Sequence, residues 1–398
     1  MASADMKILA NQFSTWLFQY ALPLWSSAGI DRVLGGFYEV VELDGLASHA
    51  PRRARVQGRQ SFTFAYAGLM GWSGEWLAAA EHGIAYLNRY YRKANGLYRT
   101  MSFPDGSTFN SDVMTYDQAF SLLAMASLYS VSGDRRDVRR SARALIHCLC
   151  QERRCANGGF WEFGSKNYLS NPQMHLLEAT MAWASVDQNP IWADIANEIA
   201  DLAVNRFIDP NCGALFEEFD SNWAPITSEH GSHVVEPGHQ YEWAWLLKRW
   251  SLQSGRSDLH ATAETLFKAG RRGLDVGRNV ALDEIDQQFK PRRATARLWP
   301  QTERLKAASL FFQCAKKDAL PAYESEVILA AESLWRYFNV PTKGLWRDKM
   351  QVDGSFIDEP APASSFYHII LAIDALASAA GTSRSQFGER TDPLRQAH

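Results

Sequence analysis

A loose internal repeat constrains this chain more than any other feature. Gly35-Gly36-Phe37-Tyr38 leads to Asp44-Gly45, Gly96-Leu97-Tyr98 to Asp105-Gly106, and Gly344-Leu345-Trp346 to Asp353-Gly354, each closing ten residues after it opens. Strand-like residues ahead of Asp-Gly signal a hairpin, because the turn needs positive φ. Weaker copies stand at Gly159-Phe160-Trp161 and Gly213-Ala214-Leu215-Phe216. The starts at 36, 96, 159, 213 and 344 lie 60, 63, 54 and 131 residues apart, so a degenerate copy is expected near residues 273–277. Six units of about 60 residues then account for the chain.

Between the turns, stretches such as 117–129 and 242–250 are rich in Ala, Leu, Phe and Trp and lack internal Pro or Gly, which reads as helix. Each unit has room for two helices and a hairpin. Six helix pairs can close into a toroid whose inner helices are shielded by an outer set. The expected fold is therefore all-α, an (α/α)6 barrel with short β-hairpins in the connecting loops; an open helical solenoid is the alternative. No Pro/Gly/Ser-rich linker divides it, so residues 1–398 read as one domain, with a loosely ordered tail from about 382.

Charge excludes some partners. With 41 Lys and Arg against 44 Asp and Glu, the net charge of −3 gives no footprint for nucleic acid or an anionic membrane. Residues 1–24 show no secretory signal, and no apolar run reaches the length of a membrane span. Five cysteines without a CxxC pair read as free thiols, which points to the cytoplasm. The 12% aromatic content serves cores as readily as sugar binding.

Each hairpin is followed by a polar cluster at the head of an apolar stretch. These are Gln57-Gly58-Arg59, Tyr116-Asp117-Gln118, Asn171-Pro172-Gln173-Met174-His175, Pro237-Gly238-His239-Gln240-Tyr241-Glu242, Trp299-Pro300-Gln301-Thr302-Glu303 and Ser364-Ser365-Phe366-Tyr367-His368. In a closed ring, six such clusters would converge on one end and make a concave site for a small molecule. Asn171 and His175 are i,i+4, and His239 and Glu242 are i,i+3, so each pair shares a helix face.

In order, and over residues 35–373, these blocks resemble the signature segments of the N-acylglucosamine 2-epimerase superfamily, most closely its mannose isomerase branch. The resemblance implies an (α/α)6 barrel and a cofactor-independent isomerase or epimerase. It makes His239 and His368 a pair of acid/base residues on opposite walls of one cavity, with His175 assisting. It places Arg59, Asn171 and Glu242 on substrate-contacting or histidine-orienting positions. Tyr116, Asp117, Trp299, Gln301 and Glu303 join the candidate substrate site. The implied partner is a small-molecule sugar, with the protein a monomer or homodimer.

Histidine suits this chemistry. Interconverting an aldose and a ketose, or inverting C2, begins with loss of the proton beside the carbonyl and passes through a cis-enediol. A base near neutrality needs a pKa near the working pH. One base suffices for isomerisation; C2 epimerisation needs reprotonation from the other face. Free D-mannose to D-fructose is the favoured reaction. Epimerisation of N-acylglucosamine or cellobiose, then sulfoquinovose isomerisation, are alternatives.

Two readings from other classes compete. A glycoside hydrolase on the same barrel would need two carboxylates across the scissile bond, with Asp117 and Glu242 or Glu303 as candidates. A non-catalytic sugar-binding module would explain the aromatics but not the histidines. Glu229-His230-x-x-His233 with Glu236 lacks the helical His-Glu-x-x-His pattern and reads as a loop over the site rather than a metal centre. Arg52, Arg53 and Arg55 read as a solvated loop in preference to a phosphate contact. His49, His82, His147, His260 and His398 read as structural or exposed.

Overall fold

The computed structural model describes residues 2–133, 135–163, 167–227 and 231–382. Helix α1 (Ala4–Trp16) continues through a π-helical turn, Leu17–Ala21, into α2 (Leu22–Ser27). Six inner helices follow: α3 (Ala54–Leu69), α5 (Thr115–Ser132), α7 (Ser170–Val186), α9 (Pro237–Ser254), α11 (Leu298–Gln313) and α13 (Phe366–Ala380). They alternate with the outer helices α4 (Trp76–Tyr90), α6 (Arg136–Arg153), α8 (Ile191–Leu202), α10 (Leu259–Arg272) and α12 (Leu320–Trp335). Each inner helix packs on the next, and α13 packs on α3, so the ring is closed rather than an open solenoid. The N-terminal α1 packs on α13 and α12. The last unit thus takes its outer helix from the start of the chain.

Composition decides which helices go inside. In α3 every residue from Val56 to Leu69 is buried, because both flanks and the outer layer cover it. Outer helices bury one stripe. In α6 that stripe is Val138, Ala142, Leu145, Ile146 and Leu149, the spacing of one helix face. Each larger apolar side chain of that kind contributes roughly 1.5–3 kcal/mol on burial. Residues 363–380 reach a mean hydropathy of 1.4 over a length that could cross a membrane, contrary to the expectation of no such run. The same stretch is 78% buried here, as befits an inner barrel helix.

The hairpins stitch neighbouring units together. Arg52–Arg53 pairs antiparallel with Met101–Ser102, Tyr168–Leu169 with Glu218–Phe219, and Ala296–Arg297 with Lys349–Met350. Val40–Val41 pairs with Ala361–Pro362, tying the first hairpin to the last inner helix. The degenerate copy is a hairpin in which Leu274–Asp275 pairs with Val280–Ala281.

Five glutamines lock hairpin to helix. Gln57 accepts from the Phe37 N–H at 2.7 Å and donates to its carbonyl at 2.9 Å. Gln118 grips Tyr98 in the same way, Gln173 grips Phe160, Gln240 grips Leu215, and Gln301 grips Ala281. In the sixth unit the Trp25 indole donates to the Gly344 carbonyl instead. Gly36 shows how tight this is. Its φ is +75°, and a Cβ there would lie 2.8 Å from Gln57 Oε1.

Replacing Gln240 by Ala leaves the buried N–H and C=O of Leu215 without partners. The variant is expected to lose about 2–4 kcal/mol of stability by urea unfolding, since each orphaned buried group costs about 1–3 kcal/mol. A loss below 0.5 kcal/mol would remove the clamp from the account of the fold.

Candidate active site

The first turns of the inner helices open on one cavity of about 440 Å³. Its wall includes Arg59 of α3, Tyr116 of α5, Asn171 and His175 of α7, His239 and Glu242 of α9, Trp299 of α11, and His368 of α13. Segments more than 300 residues apart in sequence therefore meet around one space. The N–H ends of six helices point toward it, which favours negative charge.

The two principal histidines are not on facing walls. They lie on α9 and α13, with α11 between. Trp299 fills the gap, its ring 5.0 Å from His239 and 5.9 Å from His368. His175, on α7, sits three places round the ring from His368.

Each Nδ1 faces a different carboxylate, and the balance of burial and charge differs from one ring to the next. His239 Nδ1 lies 2.9 Å from Glu217, with Glu236 at 4.0 Å. Burial alone would lower the pKa, but Glu217, then Glu236, outweigh it and push it up to about 10. His368 Nδ1 lies 2.8 Å from Glu303. Burial, with Arg59 and Lys306 nearby, holds this imidazole well below its usual range. Burial likewise lowers His175 to about 4, against the pull of Glu178 at 3.4 Å. At neutral pH His239 is an imidazolium, and His368 and His175 are neutral.

Other predicted residues sort by position. Arg59 donates to the Ser364 carbonyl at 3.1 Å and to the Tyr116 hydroxyl at 2.5 Å, and its guanidinium lies 4.1 Å from the Phe120 ring centre. Asn171 Oδ1 is buried without a protein partner at the cavity wall, so it is available to a ligand. Glu242 has its pKa raised well above the usual carboxylate value by burial and repulsion from Glu303. It faces His175 at 3.9 Å and not His239, so sharing a helix face with His239 does not make it that ring's orienter.

Three candidates do not reach the cavity. Gln301 is committed to the Ala281 backbone. Asp117, fully buried, holds Arg55 at 3.3 Å from behind the wall. Glu303 reaches the site only through His368. Nor are the arginines a solvated loop. Arg52 is fully buried against Asp31, Arg53 pairs with Glu39 at 2.6 Å, and Arg55 lines the cavity.

Glu217 went unassigned from sequence, yet a signal existed. It stands two residues past the glutamine-clamped Leu215, as Glu39, Glu162 and Asp283 stand two past Phe37, Phe160 and Ala281. Thr100 fills that place in the second unit. Glu162 accepts from the Tyr116 N–H at 3.0 Å at the head of α5, and burial raises its pKa to about 8. Glu178, Lys306 and Tyr367, also unassigned, are fully buried behind the lining residues: Tyr367 donates to Glu178, and Lys306 lies 2.6 Å from Glu303.

Among the described residues, two groups place three ligand atoms close enough to hold a cation: His175, Glu178 and Glu242, and Glu242, Glu303 and His368. The Lys306 ammonium already supplies positive charge between these carboxylates. In the other candidate, Glu229 and His230 lie outside the described residues. His233 stacks on Phe216 at 4.2 Å, its Nδ1 3.1 Å from the Ile226 carbonyl.

The family model described as N-acylglucosamine 2-epimerase (GlcNAc 2-epimerase) matches residues 35–372. A Rhizobium meliloti (strain 1021) protein named mannose-6-phosphate isomerase is 43% identical over 378 residues, covering 93% of this chain and 97% of that one. A D-mannose isomerase of Marinomonas mediterranea is 23% identical over 347 residues, 78% of this chain and 82% of its own. A crystal structure of a D-mannose isomerase superposes with a TM-score of 0.84 at 20% identity, over 95% of this chain and 100% of that one, a likeness of fold. The chain belongs to the N-acylglucosamine 2-epimerase family, and it is an enzyme of the isomerase and epimerase class.

Proposed function

We propose that this protein interconverts free D-mannose and D-fructose by proton transfer alone. One observation carries the reading: two imidazoles border one hexose-sized cavity, each with its Nδ1 on a separate buried carboxylate, Glu217 or Glu303. The neutral His368 is the base and takes the C2 proton. The His239 imidazolium donates to O1, so a cis-enediol forms without a free oxyanion. His239 then recovers a proton from O2 while His368 returns its proton to C1. Both groups end as they began. Arg59 and the unpartnered Asn171 hold substrate oxygens, and the helix N-termini stabilise charge that develops on O1.

The name of the 43% identical relative raises a second reading, a 6-phosphorylated substrate. A phosphate needs cations with charge to spare. Of the four cavity-lining arginines, three are held by carboxylates, Arg53 by Glu39, Arg55 by Asp117, and Arg297 by Asp283 at 3.0 Å and Glu236 at 3.3 Å, and Arg59 alone forms no ion pair among the described residues. That balance favours a neutral hexose. Among the described residues no disulfide joins the five cysteines, which fits a cytoplasmic enzyme.

NMR of the reaction in D2O is expected to show D-mannose giving D-fructose, with kcat/KM for D-mannose at least tenfold above that for mannose 6-phosphate. The reverse order would replace this reading with the phosphate one; a C2-inverted aldose as sole product would make the enzyme an epimerase. His239→Ala and His368→Ala should each lower kcat by about 100- to 10,000-fold in folded protein, and near-normal rates in both would remove the assignment. EDTA is expected to leave the rate unchanged. The alkaline limb of kcat/KM should fall near pH 10, where His239 loses its proton. Glu217→Gln should move that limb down by about 1–3 units, because burial then acts on His239 with one counter-charge fewer. An unmoved limb would mean that Glu217 does not set it.

A further inference from the structure

Behind the lining residues of the cavity, Lys306 is fully buried, which is costly for an ammonium group. It lies one turn along α11 from Glu303, with Nζ 2.6 Å from Glu303 Oε2, and the other oxygen of that carboxylate lies 2.8 Å from His368 Nδ1. A continuous line runs from ammonium to carboxylate to imidazole. Nζ also lies 4.3 Å from the centre of the Trp245 ring. Glu178 of α7 and Glu242 of α9 add their fields to that of Glu303 at Lys306. Arg59, His175 and Lys306 itself face His368.

A histidine that is to act as a base through Nε2 must carry its proton on Nδ1. Its partner must therefore accept at Nδ1, as an ionised carboxylate does. A protonated Glu303 would instead donate to Nδ1, force the proton onto Nε2, and leave the cavity side with no lone pair. Glu303 is fully buried, and burial favours its protonated form. Lys306 is the neighbour that opposes this most strongly.

We propose that Lys306 is a positioning residue that keeps Glu303 ionised and thereby fixes His368 as the Nδ1–H tautomer, with its basic nitrogen toward the sugar. The inference rests on the reading of His368 as the base.

The test combines imidazole 15N NMR of the full-length protein with steady-state kinetics on D-mannose. In the unsubstituted protein, His368 is expected to show a protonated Nδ1 and a bare Nε2. In Lys306→Met the tautomer should shift toward Nε2–H, with kcat down about 10- to 100-fold, as for partners that orient a functional histidine, and KM within threefold. Adding Glu303→Gln to that variant should cost little more, since both act through one tautomer. An Nε2–H tautomer in the unsubstituted protein overturns the proposal, and so does a Lys306→Met protein with unchanged tautomer and rate. The first of these needs no variant to fold. A tautomer that switches while the rate holds supports the role of Lys306 and removes His368 as the base.

Discussion

The glutamine side chain that grips a hairpin backbone is the contact on which the rest of this structure depends. The hairpin strands are only two or three residues long, too short to hold a ring of helices in register, so each inner helix must also be fixed at the end where the site lies. One carboxamide does this by accepting from an N–H and donating to a carbonyl of the same hairpin residue, as Gln57 does with Phe37 and Gln240 with Leu215. The hairpin in turn reaches the neighbouring helix: the carbonyls of Glu39, Thr100, Glu162, Glu217 and Asp348 accept from the N–H groups of Ala363, Ala54, Thr115, Ser170 and Leu298. Helix, hairpin and next helix thus form one connected main-chain network around the mouth.

That network also delivers the charges. Side chains at or just past the carbonyl link fall at the head of a neighbouring inner helix, which is where Glu217 meets His239 and Glu162 caps α5. Deeper in, Glu178, Glu242 and Glu303 are all buried, and they share one cation, Lys306. The outcome is an asymmetry between two chemically identical side chains. At His239 the charges of Glu217 and Glu236 outweigh burial and raise the pKa; at His368, although Glu303 lies 2.8 Å away, burial, then Arg59 and Lys306, lower it. A site with one acid and one base at the same pH needs such an asymmetry.

Much of this was legible in the chain. The spacing of Gly-aromatic-to-Asp-Gly segments gave six units, and the apolar runs between them gave the helix pairs. The clusters headed by Arg59, Tyr116, Asn171, His239, Trp299 and His368 marked the cavity ends of the inner helices. Gln301 was misread because a polar residue beside a candidate site looks the same in sequence whether it faces the ligand or the backbone. Glu217 was passed over because it sits in a weak hairpin copy, and only its register with Glu39, Glu162 and Asp283 gives it away.

By itself, then, the sequence determined the period, the inner and outer character of each helix, and which residue types stand at one end of the ring. These are properties of local pattern, and local pattern is what a linear chain records. Closure of the ring, the pairing of Val40–Val41 with Ala361–Pro362, and the protonation of each histidine were decided by the tertiary structure. The physical reason is that a pKa is set by burial and by charges within a few ångströms. Those charges reach His239 from Glu217 on the preceding hairpin, and His368 from Arg59 near the other end of the chain.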